Sequence, residues 1–275
     1  AAVLIGNLPP VGPTLLKPAS ARPVVIQSYR TESVPEWLSG CMTSVRDWAA
    51  AQGYDYRHIG DEIFDMVPAW YRANAGGRAP VITDLARLLL IREELSAGRS
   101  AAIWFDADVL IFDPDALAID LTPAYAFGRE RWVQPGPKTD ARPGSLKVYR
   151  NVHNAVAMFR PGNAFLKFYI HACERILKAA SGSVPNQVVG PKFLTAIHNI
   201  MGFDLIDTVG MLSPLVLRDL HAGGGPALDR LIAATPTPLA AANLCSSMVG
   251  AETDGVSVTD KMMDVVCEKL MSAGV

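Results

Sequence analysis

The stretch that decides the fold is Ala101-Ala-Ile-Trp-Phe-Asp-Ala-Asp108-Val-Leu-Ile-Phe112. Five apolar residues in a row, with neither alternation nor helical spacing, read as a strand covered on both faces of a sheet, and Asp106 and Asp108 break the run at its carboxyl end. Open α/β sheets bind ligands at the carboxyl ends of their strands. A helix precedes the run: Thr83 is expected to cap a segment from Asp84 to about Ser96, ended by Gly98.

Working outward, Pro23 to Tyr29 (Pro-Val-Val-Ile-Gln-Ser-Tyr) reads as a buried strand. Val34 to Ala51 reads as an amphipathic helix, with Trp37, Leu38, Cys41, Met42, Val45 and Trp48 at spacings of three and four. Tyr54–Ile59 alternates like a strand, and Asp61–Tyr71 reads as a short helix. Downstream, Val152–Phe159 reads as a strand, Arg160–Asn163 as a turn, and 164–180, 191–201 and 259–273 as helices, the last capped by Thr259. Arg129 to Arg150, with six basic residues and several prolines and glycines, reads as a basic loop or hairpin. Strand, helix, strand at the start predicts an α/β class with a central sheet flanked by helices.

The chain has 275 residues, half of them apolar, and 25 basic against 27 acidic side chains for a net charge of -2. That balance excludes a protein that coats nucleic acid or an anionic membrane. Every apolar run is broken well short of the roughly 20 residues a spanning helix needs, so no transmembrane segment is expected. Residues 1–22, with Pro9, Pro10, Pro13 and Pro18, read as an extended arm rather than a secretory signal, and 23–275 as one domain. Four cysteines without C-x-x-C spacing argue against a zinc site or a disulfide framework and for a reducing, cytoplasmic setting.

Two carboxylates on a tight turn suit Mg²⁺ or Mn²⁺ held against a nucleoside diphosphate. In this setting the chain resembles glycosyltransferase family 32, which includes yeast-type mannosyltransferases and, more distantly, the clostridial glucosylating toxins. Thr83-Asp84-Leu-Ala-Arg87, lying 22 residues ahead of Asp106-Ala-Asp108, is similar to the family's Ser/Thr-Asp-x-x-Arg helix leading into D-x-D. Val24–Tyr29, Val34-Pro-Glu-Trp-Leu38, Trp48–Tyr56, Asn154–Met158 with Pro161–Leu166, and Gly190–Thr195 resemble further family segments in order. Ile26 and Tyr29 stand where the family has His and Trp, which implies a divergent branch.

The resemblance implies a GT-A fold and a retaining, metal-dependent transfer of a sugar from a UDP- or GDP-sugar to a glycan or polysaccharide acceptor. The implied setting is bacterial-type surface polysaccharide synthesis, with a cytoplasmic enzyme peripheral to the inner membrane. Asp84 and Arg87 would contact the donor sugar together with Asn154, Asp106 would touch ribose and sugar hydroxyls, Asp108 would ligate the cation with Asp106 beside it, and Tyr29 would stack on the base. Catalytic weight falls on Asp106, Asp108 and Arg87. Asn243 and Ser246, in Asn243-Leu-Cys-Ser-Ser247, are candidates to close the metal site from the C-terminal side. Two other readings stay open. A haloacid-dehalogenase-type phosphohydrolase also places D-x-D after an apolar strand, although it usually has Thr or Val where Leu110 stands here. A nucleotide-sugar binding module without turnover would keep the same donor residues.

Overall fold

The computed structural model describes residues 22–137, 145–180 and 184–275. The expected arm falls almost wholly outside them, as does the centre of the basic stretch.

Strand β1 (Val24–Ser28) leads to helix α1 (Glu36–Ala51) and strand β2 (Asp55–Ile59). Where one short helix is predicted over Asp61–Tyr71, Pro68 divides the segment into a 3-10 stretch, Asp61–Met66, and helix α2 (Ala69–Asn74). Helix α3 (Ala79–Ser96) begins a turn earlier than its predicted cap, because Pro80 occupies the first turn, where its missing N–H is harmless. Thr83 is therefore not an N-cap, and Asp84 lies inside the helix.

Strand β3 (Ala102–Phe105) then ends at the Asp106–Asp108 turn, and β4 (Val109–Ile111) follows. Of the two readings of the basic stretch, loop or hairpin, the structure shows the hairpin. β5 (Tyr125–Pro135) and β6 (Leu146–Phe159) form a long antiparallel hairpin whose tip lies outside the described residues. Helices α4 (Ala164–Ala179) and α5 (Pro191–Met201) follow, then strands β7 (Asp204–Ile206) and β8 (Val209–Met211), helices α6 (Pro214–Ala222) and α7 (Pro226–Ala234), strand β9 (Ala241–Asn243), the two-residue pair β10 (Glu252–Thr253) and β11 (Val256–Ser257), and helix α8 (Asp260–Ala273). Thr259 caps α8 as predicted, its hydroxyl accepting the Met262 N–H at 3.2 Å.

The main sheet has the order β2-β1-β3-β6-β5-β7, with β6 antiparallel to β3 and β5 and the other pairs parallel. It is a mixed sheet flanked by helices, as the sequence predicts. Its strands alternate between two buried faces. Val24, Ile26, Ala102 and Trp104 pack with α3, α4 and α5, whereas Val25, Ile103 and Phe105 pack against α1 and a small sheet of order β4-β9-β8. That two-sided burial is why β3 reads as a continuous apolar run. A third cluster joins α1 to α6, α7 and α8 through Trp37, Leu38, Leu217, Leu231 and Val266. No helix among the described residues is long and apolar enough to cross a membrane.

Candidate active site

The turn after β3 sends its two carboxylates in different directions. Asp106 continues the face of Trp104, toward α3, and Asp108 turns toward the small sheet.

On the α3 side, Arg87 is almost fully buried and, besides the Thr83 carbonyl one turn back at 3.4 Å, reaches four partners. Its guanidinium lies 3.2 Å from Asp84 Oδ1 and 3.0 Å from Asp106 Oδ1, donates to the Asn154 carbonyl at 2.6 Å, and sits over the Trp104 ring at 5.1 Å. Trp104 Nε1 donates to the same Asp106 oxygen at 2.6 Å, and Asn154 Nδ2 donates to Asp84 Oδ1 at 2.7 Å. Burial pushes the Asp84 carboxyl up to about 6 against the opposing pull of Arg87 and Asn154. Burial works against the Arg87 charge too, but Asp106 and Asp84 outweigh it and hold the guanidinium above its ordinary value.

A β-bulge puts Asn154 into this network. Along the hairpin, Phe127 pairs with Ala157 but the next residue, Gly128, pairs with His153, so β5 advances one residue while β6 advances four. The three intervening residues, Asn154 to Val156, are released from β5. Val156 pairs with Phe105 instead, the Ala155 carbonyl accepts the Asp106 N–H at 2.7 Å, and Asn154 is turned toward Asp84. Gly190, at the start of α5, closes over the pair, and a Cβ there would lie 2.6 Å from Asp84 Oδ2.

Asp108 is buried on the opposite side. Its Oδ1 accepts from Asn243 Nδ2 at 2.5 Å and its Oδ2 from the Ser246 N–H at 2.7 Å. The β4–β9 pairing sets this register, with Val109 opposite Asn243 and the Leu244 N–H on the Asp108 carbonyl. Cys245 then adopts a left-handed φ of 56°, which non-glycine residues hold at a cost of about 1–2 kcal/mol, and its N–H bonds Asn243 Oδ1 at 2.8 Å. That kink brings Ser246 back onto Asp108. Burial first, then the Asp106 charge, raises the Asp108 carboxyl above the usual range.

Among the described residues no cationic side chain pairs with Asp108, and no group of three or more His, Cys, Asp or Glu gathers as a metal cage. What does gather is a carboxylate, a carboxamide and a hydroxyl. The Asp108 carboxylate and the Ser246 hydroxyl are oxygen groups of the kind that suit Mg²⁺ or Mn²⁺, whereas Asn243 turns its Nδ2 to Asp108 and its Oδ1 to the Cys245 N–H.

Every residue predicted for the site except Tyr29 thus falls into one of two adjoining groups: Asp84, Arg87, Asp106 and Asn154, or Asp108, Asn243 and Ser246. Tyr29 follows β1, which lies beside β3 and runs parallel to it. Its half-buried ring packs against the α1–α8 cluster, with Arg30 over it at 5.4 Å. Sequence reasoning missed Gln27, which is fully buried and donates to the Asp106 carbonyl at 3.2 Å while accepting from the Tyr56 hydroxyl at 3.0 Å. A lone amide in a β-branched strand was the available signal. It also missed Glu130, a buried carboxylate on β5 pushed up to about 7 by burial. His153 is a satisfied interior histidine: Nδ1 accepts the Ala155 N–H at 3.2 Å, Nε2 lies 3.1 Å from the Val209 carbonyl, and burial pushes its pKa down to about 4.

Neither a protein-family model nor a curated protein matches the chain. Among solved structures, the crystal structure of a glycosyltransferase involved in the glycosylation of the major capsid of PBCV-1 is similar over 89% of this chain and 98% of its own, at 11% identity and a TM-score of 0.45. At that level of likeness it bears on neither the activity nor the site residues.

Proposed function

We propose that this chain is a glycosyltransferase that moves a sugar from a nucleotide-diphosphate sugar to the hydroxyl of a glycan or polysaccharide acceptor, with a divalent cation and with retention. The observation that carries the reading is the division of labour across the Asp106–Asp108 turn. One carboxylate joins a buried Asp–Arg–Asn network able to bind hydroxyls, and its neighbour, Asp108, is buried with no cationic side-chain partner among the described residues.

In this reading Asp84, ionised at neutral pH, accepts hydrogen bonds from sugar hydroxyls, and Arg87 donates to them while holding Asp84 and Asp106 in place. Asn154 fixes the Asp84 rotamer. Asp106 receives ribose or sugar hydroxyls at the oxygen that Arg87 and Trp104 leave free. Tyr29, at the end of β1, offers an aromatic face to the base. Asp108, Asn243 and Ser246 would hold Mn²⁺ or Mg²⁺, which when bound stabilises the departing diphosphate as a Lewis acid. No residue is assigned as a covalent nucleophile, so attack is inferred to come from the face the leaving group departs from. A role in surface polysaccharide synthesis, in the cytoplasm or at the inner face of a membrane, is the setting we infer.

Calorimetry of UDP- and GDP-sugars with and without Mn²⁺ tests the reading. One donor is expected to bind at least tenfold more tightly with the metal, and Asp108→Ala to abolish that metal-dependent part. Unchanged binding and transfer in Asp108→Ala would sink the metal assignment, and an inverted product would sink retention. Phosphate release from simple phosphate esters without acceptor would instead favour the phosphohydrolase reading. Donor binding with no transfer to any acceptor would favour the binding module.

A further inference from the structure

Three arginines gather on the β5–β6 hairpin. Arg129 and Arg131 are two residues apart on β5 and so leave the same face, and Arg150 lies directly opposite Arg131 on β6. One carboxylate answers them. Asp207, between β7 and β8, accepts from Arg131 Nη2 at 2.6 Å and lies 3.6 Å from Arg129 Nε. Among the described residues Arg150 has no ion pair, and no second carboxylate joins the group.

This arrangement is unfavourable as it stands. Like charges directly opposite on antiparallel strands destabilise a hairpin. Arg131 is only 7% exposed, yet its Nε and Nη1 are buried without a hydrogen-bond partner, and unmade bonds on a buried charged group are expensive. Burial and the neighbouring Arg131 and Arg150 outweigh Asp207 and hold the Arg129 guanidinium below its ordinary value.

The cluster stands beside the candidate site. β5 runs parallel to β7 and, through β6, parallel to β3, so its C-terminal half leaves the sheet at the edge where Asp106 and Asp108 lie. Arg129 pairs with Val152, two residues before Asn154. The cation donors are offset from it. Asp207 precedes the start of β8, whereas Asn243 pairs with Met211 at the far end of that strand. Asp207, which Arg129 and Arg131 face, is thus four residues of chain from Met211, the partner of Asn243.

The geometry points to an oxyanion subsite for the acceptor, in which Arg129, Arg131 and Arg150 receive a uronate carboxylate or a phosphate ester. Guanidinium groups match both anions, and the incoming group takes up donors that Asp207 leaves unused. The word acceptor rests on the glycosyl-transfer reading; the anion site itself does not.

Calorimetry with D-glucuronate, D-glucose 6-phosphate and uncharged D-glucose is the test. At least one of the two anions is expected to bind and glucose to bind at least tenfold more weakly, and the preferred anion tells carboxylate from phosphate. Arg129→Gln/Arg150→Gln, which spares the buried Arg131, is expected to weaken anion binding at least tenfold and to leave Mn²⁺-dependent nucleotide-sugar binding unchanged. Asp207→Asn is expected to tighten anion binding severalfold, an effect that a purely structural ion pair would not produce. Equal binding of glucose and both anions would overturn the proposal, as would loss of anion binding in Asp207→Asn. Weakened nucleotide-sugar binding with unchanged glucuronate binding in the double variant would assign the arginines to the donor and overturn it as well. Anion binding as expected in a protein that binds no nucleotide sugar would leave the subsite standing and remove the transfer reading instead.

Discussion

Glu130 and His153 are both buried beside the candidate site, and their protonation moves stability in opposite directions. Glu130 is raised to about 7 in the fold, so its favourable contribution is complete below the unfolded value near 4.5 and is lost as pH rises through about 7. His153 is lowered to about 4, so the unfolded chain takes up its proton first, and stability is lost as pH falls from about 6.5 toward 4. Replacing Glu130 with Gln removes the first effect. Glu130→Gln is expected to match the parent near pH 4.5 and to exceed it by on the order of 3 kcal/mol at pH 8, from a shift of about 2.5 pH units. Denaturant unfolding across that range measures it, and a constant difference at all pH values would refute the assignment. At this scale Asp106 and Asp108 were legible because carboxylates that end an apolar strand are conspicuous. Glu130 was not, because it sits among six basic residues in a stretch read as a basic loop or hairpin, where a carboxylate does not stand out.

At the scale of elements, the hairpin bulge does the positioning, and it depends on Gly128. A Cβ at that residue would lie 2.0 Å from the His153 ring, so the close approach of β5 to β6 admits no side chain. Gly128→Ala is expected to destabilise the fold by about 1–3 kcal/mol through overpacking. Adding His153→Ala should return part of that loss, so the double variant should cost less than the two single changes together, as read from denaturant midpoints. Strictly additive effects would disprove the contact. Of the elements that the sequence made plain, α1 carries a long pattern matched to one period, β1 and β3 hold short unbroken apolar runs with clear ends, and α3 was marked by the Gly98 that follows it. The hairpin could be read only as one of two alternatives, and its full length not at all, because its outer half is half-exposed and rich in Arg, Gly and Pro. β7, β8 and β9 have three residues each, too few for any periodicity to register. The α3 start was misplaced because Thr83 looks like a cap, whereas Arg78, Ala79 and Pro80 begin the helix without a side-chain cap.

Across the whole molecule, the C-terminal region is what completes the site. Helix α8 packs on α1 and α6, and Trp37 Nε1 donates to Asp260 Oδ1 at 2.8 Å across 223 residues of chain. Trp37→Phe keeps an aromatic ring, trims the indole to a phenyl and removes the bond. It is expected to lower stability by about 1–2 kcal/mol and to speed hydrogen exchange in α8 more than in α3. Equal acceleration in both helices would show that the bond does not tether α8 in particular. The sequence placed the segment around Asn243 and Ser246 near the metal only by resemblance. No local pattern could do so, because the partner lies 135 residues away and is reached through the β4–β9 register.

That separation governs when the protein becomes competent as it is made. A ribosome that has released the first 240 residues has delivered Asp84, Arg87, Asp106, Asp108 and Asn154, but not Asn243 or Ser246. The growing chain can build the Asp84–Arg87–Asp106–Asn154 network while Asp108 still lacks both of its partners. On the proposed reading, a nascent chain holds no cation at Asp108, and so transfers no sugar, until Asn243 and Ser246 have emerged and docked.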